Sequence, residues 1–172
     1  NTHRNSNKMT IATANEKFPP DWRIITYFTV IHLVALLAFL PRNFSWGAIG
    51  IAFVLYWVTG GIGITLGFHR LVSHRSFQAP KWLEYILIFC GTLACQGGPI
   101  QWIGLHRMHH KFSDTQTDPH DSNKGFWWSH IGWMMCQNPA LQEYPRYTQD
   151  IKDDPFYQFC QKNLVLIQVA LG

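Results

Sequence analysis

The sequence predicts an all-α, integral membrane protein with two transmembrane helices, a histidine-bearing cap with interfacial helices on the cytoplasmic side, and the start of a third span. Three observations carry that prediction. Of 172 residues, 47% are apolar and 15% aromatic while only 14% are charged, a rich apolar content for a soluble domain. The apolar residues concentrate in two uncharged runs. Five of the nine histidines fall in two short clusters, and both clusters follow the second run.

Residues 1–20 read as a polar tail and residues 21–172 as one membrane domain, incomplete at its C-terminal end. The opening "NTHRNSNK" precedes Met9, so it is either a disordered tail or sequence upstream of a natural start. Residues 24–40, "IITYFTVIHLVALLAFL", carry no formal charge and reach about 26 Å as a helix, near the lower limit for a bilayer span. Residues 46–68, "WGAIGIAFVLYWVTGGIGITLGF", reach about 34 Å, enough to cross with some tilt. A chain this short has too little other material to cover two such helices on all sides. A cleaved signal peptide does not fit the first run, because "LPRNFSW" lacks a small-x-small cleavage pattern. His32 lies within the first run, where an ionisable residue is a functional candidate by default; a satisfied packing role is expected for it.

Only "PRNFS" joins the two runs, so they form a hairpin whose open ends share one side of the membrane. Arg42 is the one basic residue in that loop, whereas Arg4, Lys8, Lys17 and Arg23 precede the hairpin and Arg70, Arg75 and Lys81 follow it. Positive charge marks the cytoplasmic side. The net charge of +4 then reflects orientation and attraction to anionic lipid. No basic stripe interleaved with exposed aromatics suggests nucleic acid. Cys90, Cys95, Cys136 and Cys160 form no CxxC pair, and they read as reduced, small packing residues.

Beyond the hairpin comes "HRLVSHRSF", with His69 and His74 five residues apart. On an ideal helix that spacing leaves them about 140° apart, so both reach one site only at a helix end or where the chain bends. Pro80 then opens "KWLEYILIFCGTLAC", an amphipathic helix too short to span and suited to the interface. "QGGPIQ" breaks it. The stretch "HRMHH" follows, placing His106, His109 and His110 along one helical stripe, although about 100° still separates the last two. Such a stripe can serve one metal ion or divide its ligands between two. After a polar loop, "FWWSHIGWMM" carries Trp127, Trp128 and Trp133 for the headgroup level. The final "LVLIQVALG" is too short to cross and reads as the beginning of a third span.

Clusters of histidine are a metal signal. Five imidazoles without neighbouring thiolates disfavour a structural zinc site, and the lack of a dense carboxylate and carbonyl set disfavours calcium or magnesium. Imidazole suits iron, copper, nickel and zinc. Soluble di-iron bundles use Glu and Glu-x-x-His ligands, and neither cluster here contains a carboxylate. What remains is a histidine-rich two-metal site at a membrane surface.

The segments "GFHRLVSHRSF", "CGTLACQGGPIQW" and "GLHRMHHKFSDTQTDPHDSNKGFWWSHIGW" resemble the membrane fatty-acid desaturases, and in particular their acyl-lipid delta-9 group in cyanobacteria. The resemblance runs from about residue 20 to the end. It implies a non-haem di-iron oxidase that uses dioxygen to introduce a cis double bond into a saturated C18 or C16 acyl chain of a membrane lipid. Electrons would come from a donor such as ferredoxin, in a thylakoid or plasma membrane. It implies that His69, His74, His106, His109 and His110 are iron ligands and that Gln96 and Trp102 shape the substrate path. Asp114, Asp118 and His120 are expected to support the ligands by hydrogen bonds, and His130 to help hold the loop. The family's later ligands, including a third histidine box, have no counterpart here. The chain therefore looks like the N-terminal part only, and is expected to be inactive alone. Relatives acting on acyl-coenzyme A carry Arg-Asp where this sequence has Gly104 and Leu105, which favours a lipid-bound chain. A hydroxylase or ketolase of the same histidine-box type is the nearest alternative. A non-catalytic metal- or haem-binding membrane protein is a more distant one.

Overall fold

The computed structural model describes residues 18–113, 115, 118 and 120–171. Most of the expected polar tail lies outside the described residues. The architecture is helical throughout, and among the described residues the sole β-type pairing is an isolated bridge between Pro20 and Cys136.

Helix α1, Trp22–Ala35, starts where the Asp21 side chain accepts hydrogen bonds from the backbone N–H groups of Arg23 and Ile24, satisfying two otherwise unpaired donors. A tighter turn at Leu36–Phe39 prolongs it. Helix α2, Trp46–Tyr56, is capped by Ser45 and continues without a break as a π helix over Trp57–Ser73. The two stretches Trp22–Phe39 and Trp46–Ser73 are long and apolar enough to cross a membrane. Neither α1 nor α2 buries a single residue, and Phe39, Trp46 and Tyr56 are 84%, 78% and 75% exposed. A continuous apolar surface of this kind marks a contact with lipid or another protein. Polar side chains within it are satisfied locally. Thr29 donates to the Ile25 carbonyl, Thr59 to that of Leu55, and the His32 Nδ1–H to that of Phe28 at 2.7 Å, so that histidine is satisfied within its own helix but, being exposed, does not pack as expected.

The core begins where α2 gives way to the π helix. There Gly63, Ile64, Gly67, Phe68, Leu71 and Val72 are buried against helix α3, Lys81–Thr92. Two glycines let the backbones touch: a methyl group on Gly63 would strike the backbone of Cys90 and Gly91, and one on Gly91 would lie 2.5 Å from the Phe68 ring. Helix α3 is thus a packed partner of the π helix on one face, while Trp82 and Ile86 stay exposed on the other. After the turn at residues 93–98, helix α4, Pro99–Phe112, opens on a proline, which fits the first helical position because its missing N–H needs no partner there.

The start of α4 is anchored from a distance. The side-chain oxygen of Gln161, on helix α6 (Pro155–Lys162), accepts from the N–H groups of Ile100 and Gln101 at 3.1 and 3.2 Å. Gly104 faces the 3-10 stretch Pro139–Tyr147, so closely that a methyl group there would lie 2.7 Å from the Tyr144 carbonyl oxygen. Beneath these elements Ile88, Ile100, Ile103 and the fully buried Tyr157 complete the core. The Tyr157 hydroxyl donates to Glu84 at 2.9 Å. The short helix α5, Phe126–His130, precedes a segment tied to the start of α1 by Asp21 N–H to Met135 O and Gln137 N–H to Pro19 O. Helix α7, Leu164–Leu171, docks by a hydrogen bond from Gln168 to the Thr92 carbonyl. All four cysteines are unpaired.

Candidate metal centre

The π helix resolves the difficulty posed by the five-residue spacing of His69 and His74. Its N–H groups bond five residues back instead of four, as at His74 N–H to His69 O at 2.9 Å. Residues five apart therefore stack on one face. His74 is also the residue that ends the helix. The two Nε2 atoms come to 3.1 Å from each other, where an ordinary α-helix would have turned them apart.

Helix α4 brings the second cluster to the same point. His106 and His110, one turn apart, face the π-helix end: His106 Nε2 is 3.3 Å from His74 Nε2 and 3.1 Å from His110 Nε2. The rings of His69 and His106 lie 4.7 Å apart, and those of His74 and His110 4.5 Å. Each of these four histidines offers a nitrogen within 4.8 Å of the other three. Burial, reinforced by the surrounding imidazoles, pushes the pKa of His106 down to about 3, and the same causes lower that of His110. Those two rings are therefore neutral at physiological pH and keep a lone pair for a metal. The nitrogen spacing also suits one: a tetrahedral set of imidazoles bound at about 2.0 Å places its nitrogens about 3.3 Å apart.

His109 does not join this group. It sits on the other edge of the stripe, where both oxygens of Asp118 lie 2.9 Å from its Nδ1. The Asp118 carboxylate is fully buried and also accepts from the His120 N–H at 3.0 Å. The His120 ring stacks on His109 at 4.0 Å. His109, Asp118 and His120 thus form a second cluster of possible metal ligands. Of the five expected ligands the structure gathers four and separates the fifth, and it adds His120 as a possible partner of that fifth. Since Asp118 receives the Nδ1 proton, the lone pair of His109 rests on Nε2.

Trp102 lies one turn before His106 and stacks on it at 4.9 Å, with its other contact on Phe68 at 5.6 Å. Gln96 is exposed on the turn between α3 and α4. Asp114 lies outside the described residues. His130 is exposed and stacks on Phe126.

A charge cluster escaped the sequence reading. Arg107 donates from one guanidinium nitrogen to Asp150 Oδ1 and the Tyr147 carbonyl, both at 2.7 Å, and from the other to Asp150 Oδ2 at 3.0 Å and the Val72 carbonyl at 2.7 Å. Arg75 donates to the same carboxylate at 2.7 Å. The available signal was an arginine directly after a histidine in each cluster, with acidic residues waiting downstream in "DIKDD".

No protein-family model matches the chain. Individual proteins do. The chain is 71% identical over 167 residues to an sn-1 stearoyl-lipid 9-desaturase of Synechocystis, a match covering 95% of this chain and 52% of that protein. It is 63% identical to an sn-1 stearoyl-lipid 9-desaturase of Anabaena variabilis, covering 95% and 60%. It is 46% identical to an sn-2 palmitoyl-lipid 9-desaturase of Nostoc, covering 88% and 54%. The chain spans about half the length of these curated relatives. With the histidine clusters lying inside so long and close a match, the chain belongs to the acyl-lipid desaturase family.

Proposed function

We propose that this chain works in an acyl-lipid 9-desaturase that places a cis double bond in a saturated C18 or C16 chain of a membrane lipid, using dioxygen and electrons from a ferredoxin-type donor. The observation that carries this reading is the convergence of His69, His74, His106 and His110, drawn from two helices, directly at the end of the apolar stretch Trp46–Ser73. The exposed hairpin α1–α2 is assigned to the bilayer, and the positive charges around its open ends assign the histidines to the cytoplasmic side.

The donor set fits a metal centre of imidazoles, and iron is the proposed occupant. His69, His74, His106 and His110 would hold one ion, and His109 Nε2 would contribute to a second. Bound iron would supply the power to activate dioxygen and attack an unactivated methylene. The protein's own part is positioning. Asp118 holds the Nδ1 proton of His109 and so aims its Nε2 outward. Trp102, stacked under His106, would form a wall against the acyl chain close to the reacting carbons, with Gln96 at the mouth of that path. Orientation of this kind matters because a methylene offers no polar handle. Gly104 has no room for an arginine, which agrees with a lipid-bound substrate.

The test is expression of the intact reading frame in a host lacking its own 9-desaturase, with analysis of lipid acyl chains. A 9-monounsaturated product from the wild type and none from His74→Ala is expected. A hydroxylated or keto product would transfer the assignment to a hydroxylase or ketolase, and no modified chain at all would sink it.

A further inference from the structure

Asp150 stands 40 residues beyond the second histidine cluster, in no recognised motif, yet among the described residues it is the one carboxylate that contacts both histidine-bearing segments. Its Oδ2 accepts from Arg75, the residue after His74. Both its oxygens accept from Arg107, the residue after His106, in the forked geometry that fixes a guanidinium plane most firmly. Arg107 then bonds outward to the Val72 carbonyl at the end of the π helix, so the same guanidinium joins α4 to the segment that carries His74. Its side chain is only 17% exposed. Arg75 has φ +50°, a left-handed conformation that non-glycine residues rarely adopt. The turn is closed by Ser76 N–H to the Arg70 carbonyl at 3.0 Å.

We infer that Asp150 is a positioning residue that holds the two histidine clusters in register through Arg75 and Arg107. The inference rests on the metal-centre reading above, since register matters only if the four imidazoles act together. Without the carboxylate, two cations would face each other next to the site, and the end of the π helix would be free to swing away from α4. Residues outside a metal site that orient its ligands commonly change affinity by about 10- to 100-fold.

The test uses cobalt(II) as a visible probe in the intact protein, together with hydrogen exchange of the metal-free form. Asp150→Asn is expected to weaken cobalt binding by about tenfold or more and to speed exchange over residues 70–76 and 103–110, while α3 keeps its protection. Asp150→Glu should recover part of the affinity. Lys81→Met, which breaks the separate Lys81–Asp154 pair, should leave cobalt binding unchanged. Unchanged affinity and exchange in Asp150→Asn would overturn the inference, as would loss of protection throughout the chain or an equal effect of Lys81→Met. A wild type that takes up no cobalt would instead break the metal reading, and local exchange would then decide the role of Asp150 alone.

Discussion

The two histidine groups on α4 are built on opposite principles. His106 and His110 meet His69 and His74 with no carboxylate among them, on the ends of two helices, and two of the four residues are exposed. Less than one turn away, His109 has a fully buried carboxylate against its Nδ1 and a second ring stacked on its face. The first group is held by the packing of helices; the second carries its own orienting hydrogen bond on a loop. A single helix can thus serve two sites, because neighbouring residues point about 100° apart and each side meets a different neighbour.

Substitution should separate the two. The largest effect is expected from His106→Ala, which removes the imidazole in contact with both His74 and His110: cobalt uptake by the four-histidine group and desaturation in the intact protein should both fall below detection. If His109→Ala abolished that cobalt signal and His106→Ala spared it, the division drawn here would be wrong. Asp118→Asn comes next. It should cost about 10- to 100-fold in metal affinity at His109 while the four-histidine group, titrated separately by its absorption, stays intact. Trp102→Ala should do the reverse at a smaller scale, weakening the four-histidine group about two- to tenfold, the size of one aromatic contact, with no change at His109.

The smallest effect concerns acid. Burial alone would raise the Asp150 carboxyl, but hydrogen bonds from Arg107 and Arg75 outweigh it and hold its pKa down at about 2, against an ordinary value near 3.9. The folded protein therefore takes up this proton less readily than the unfolded chain. The stabilisation is complete above about pH 4 and disappears as pH falls toward 2. Circular dichroism of the metal-free protein should show acid unfolding that is shallower in Asp150→Asn over that window.

How far the sequence could be read depends on how local each feature is. The two apolar runs declared themselves because each is a single uninterrupted stretch, whereas the caps at Asp21 and Ser45 emerged only from the structure. The His106–His110 pair was legible because offsets of four share a face on any α-helix. The meeting of His69 with His74 was legible only as a condition, since a period of 3.6 forbids it and nothing in "HRLVSH" announces a π helix. The fate of His109 depended on Asp118, nine residues away across a loop. The Arg107–Asp150 contact spans 43 positions, where sequence offers no period to follow. Helix α3 was expected at the interface; its tight contact with the π helix follows from Gly63 and Gly91 meeting across 28 residues.

The wide winding of residues 57–73 makes the interval between His69 and His74 a length standard. Side chains along that helix are buried in pairs, 63 with 64, 67 with 68 and 71 with 72, a rhythm of four residues. Substituting Leu71 by another apolar residue changes a volume and leaves the rhythm intact. Deleting any one residue between the histidines changes the count, which either forces the last turn back to the narrower coil or rotates His74 away from His69. Natural variation in this stretch should therefore run through exchange of residues and almost never through insertion or loss.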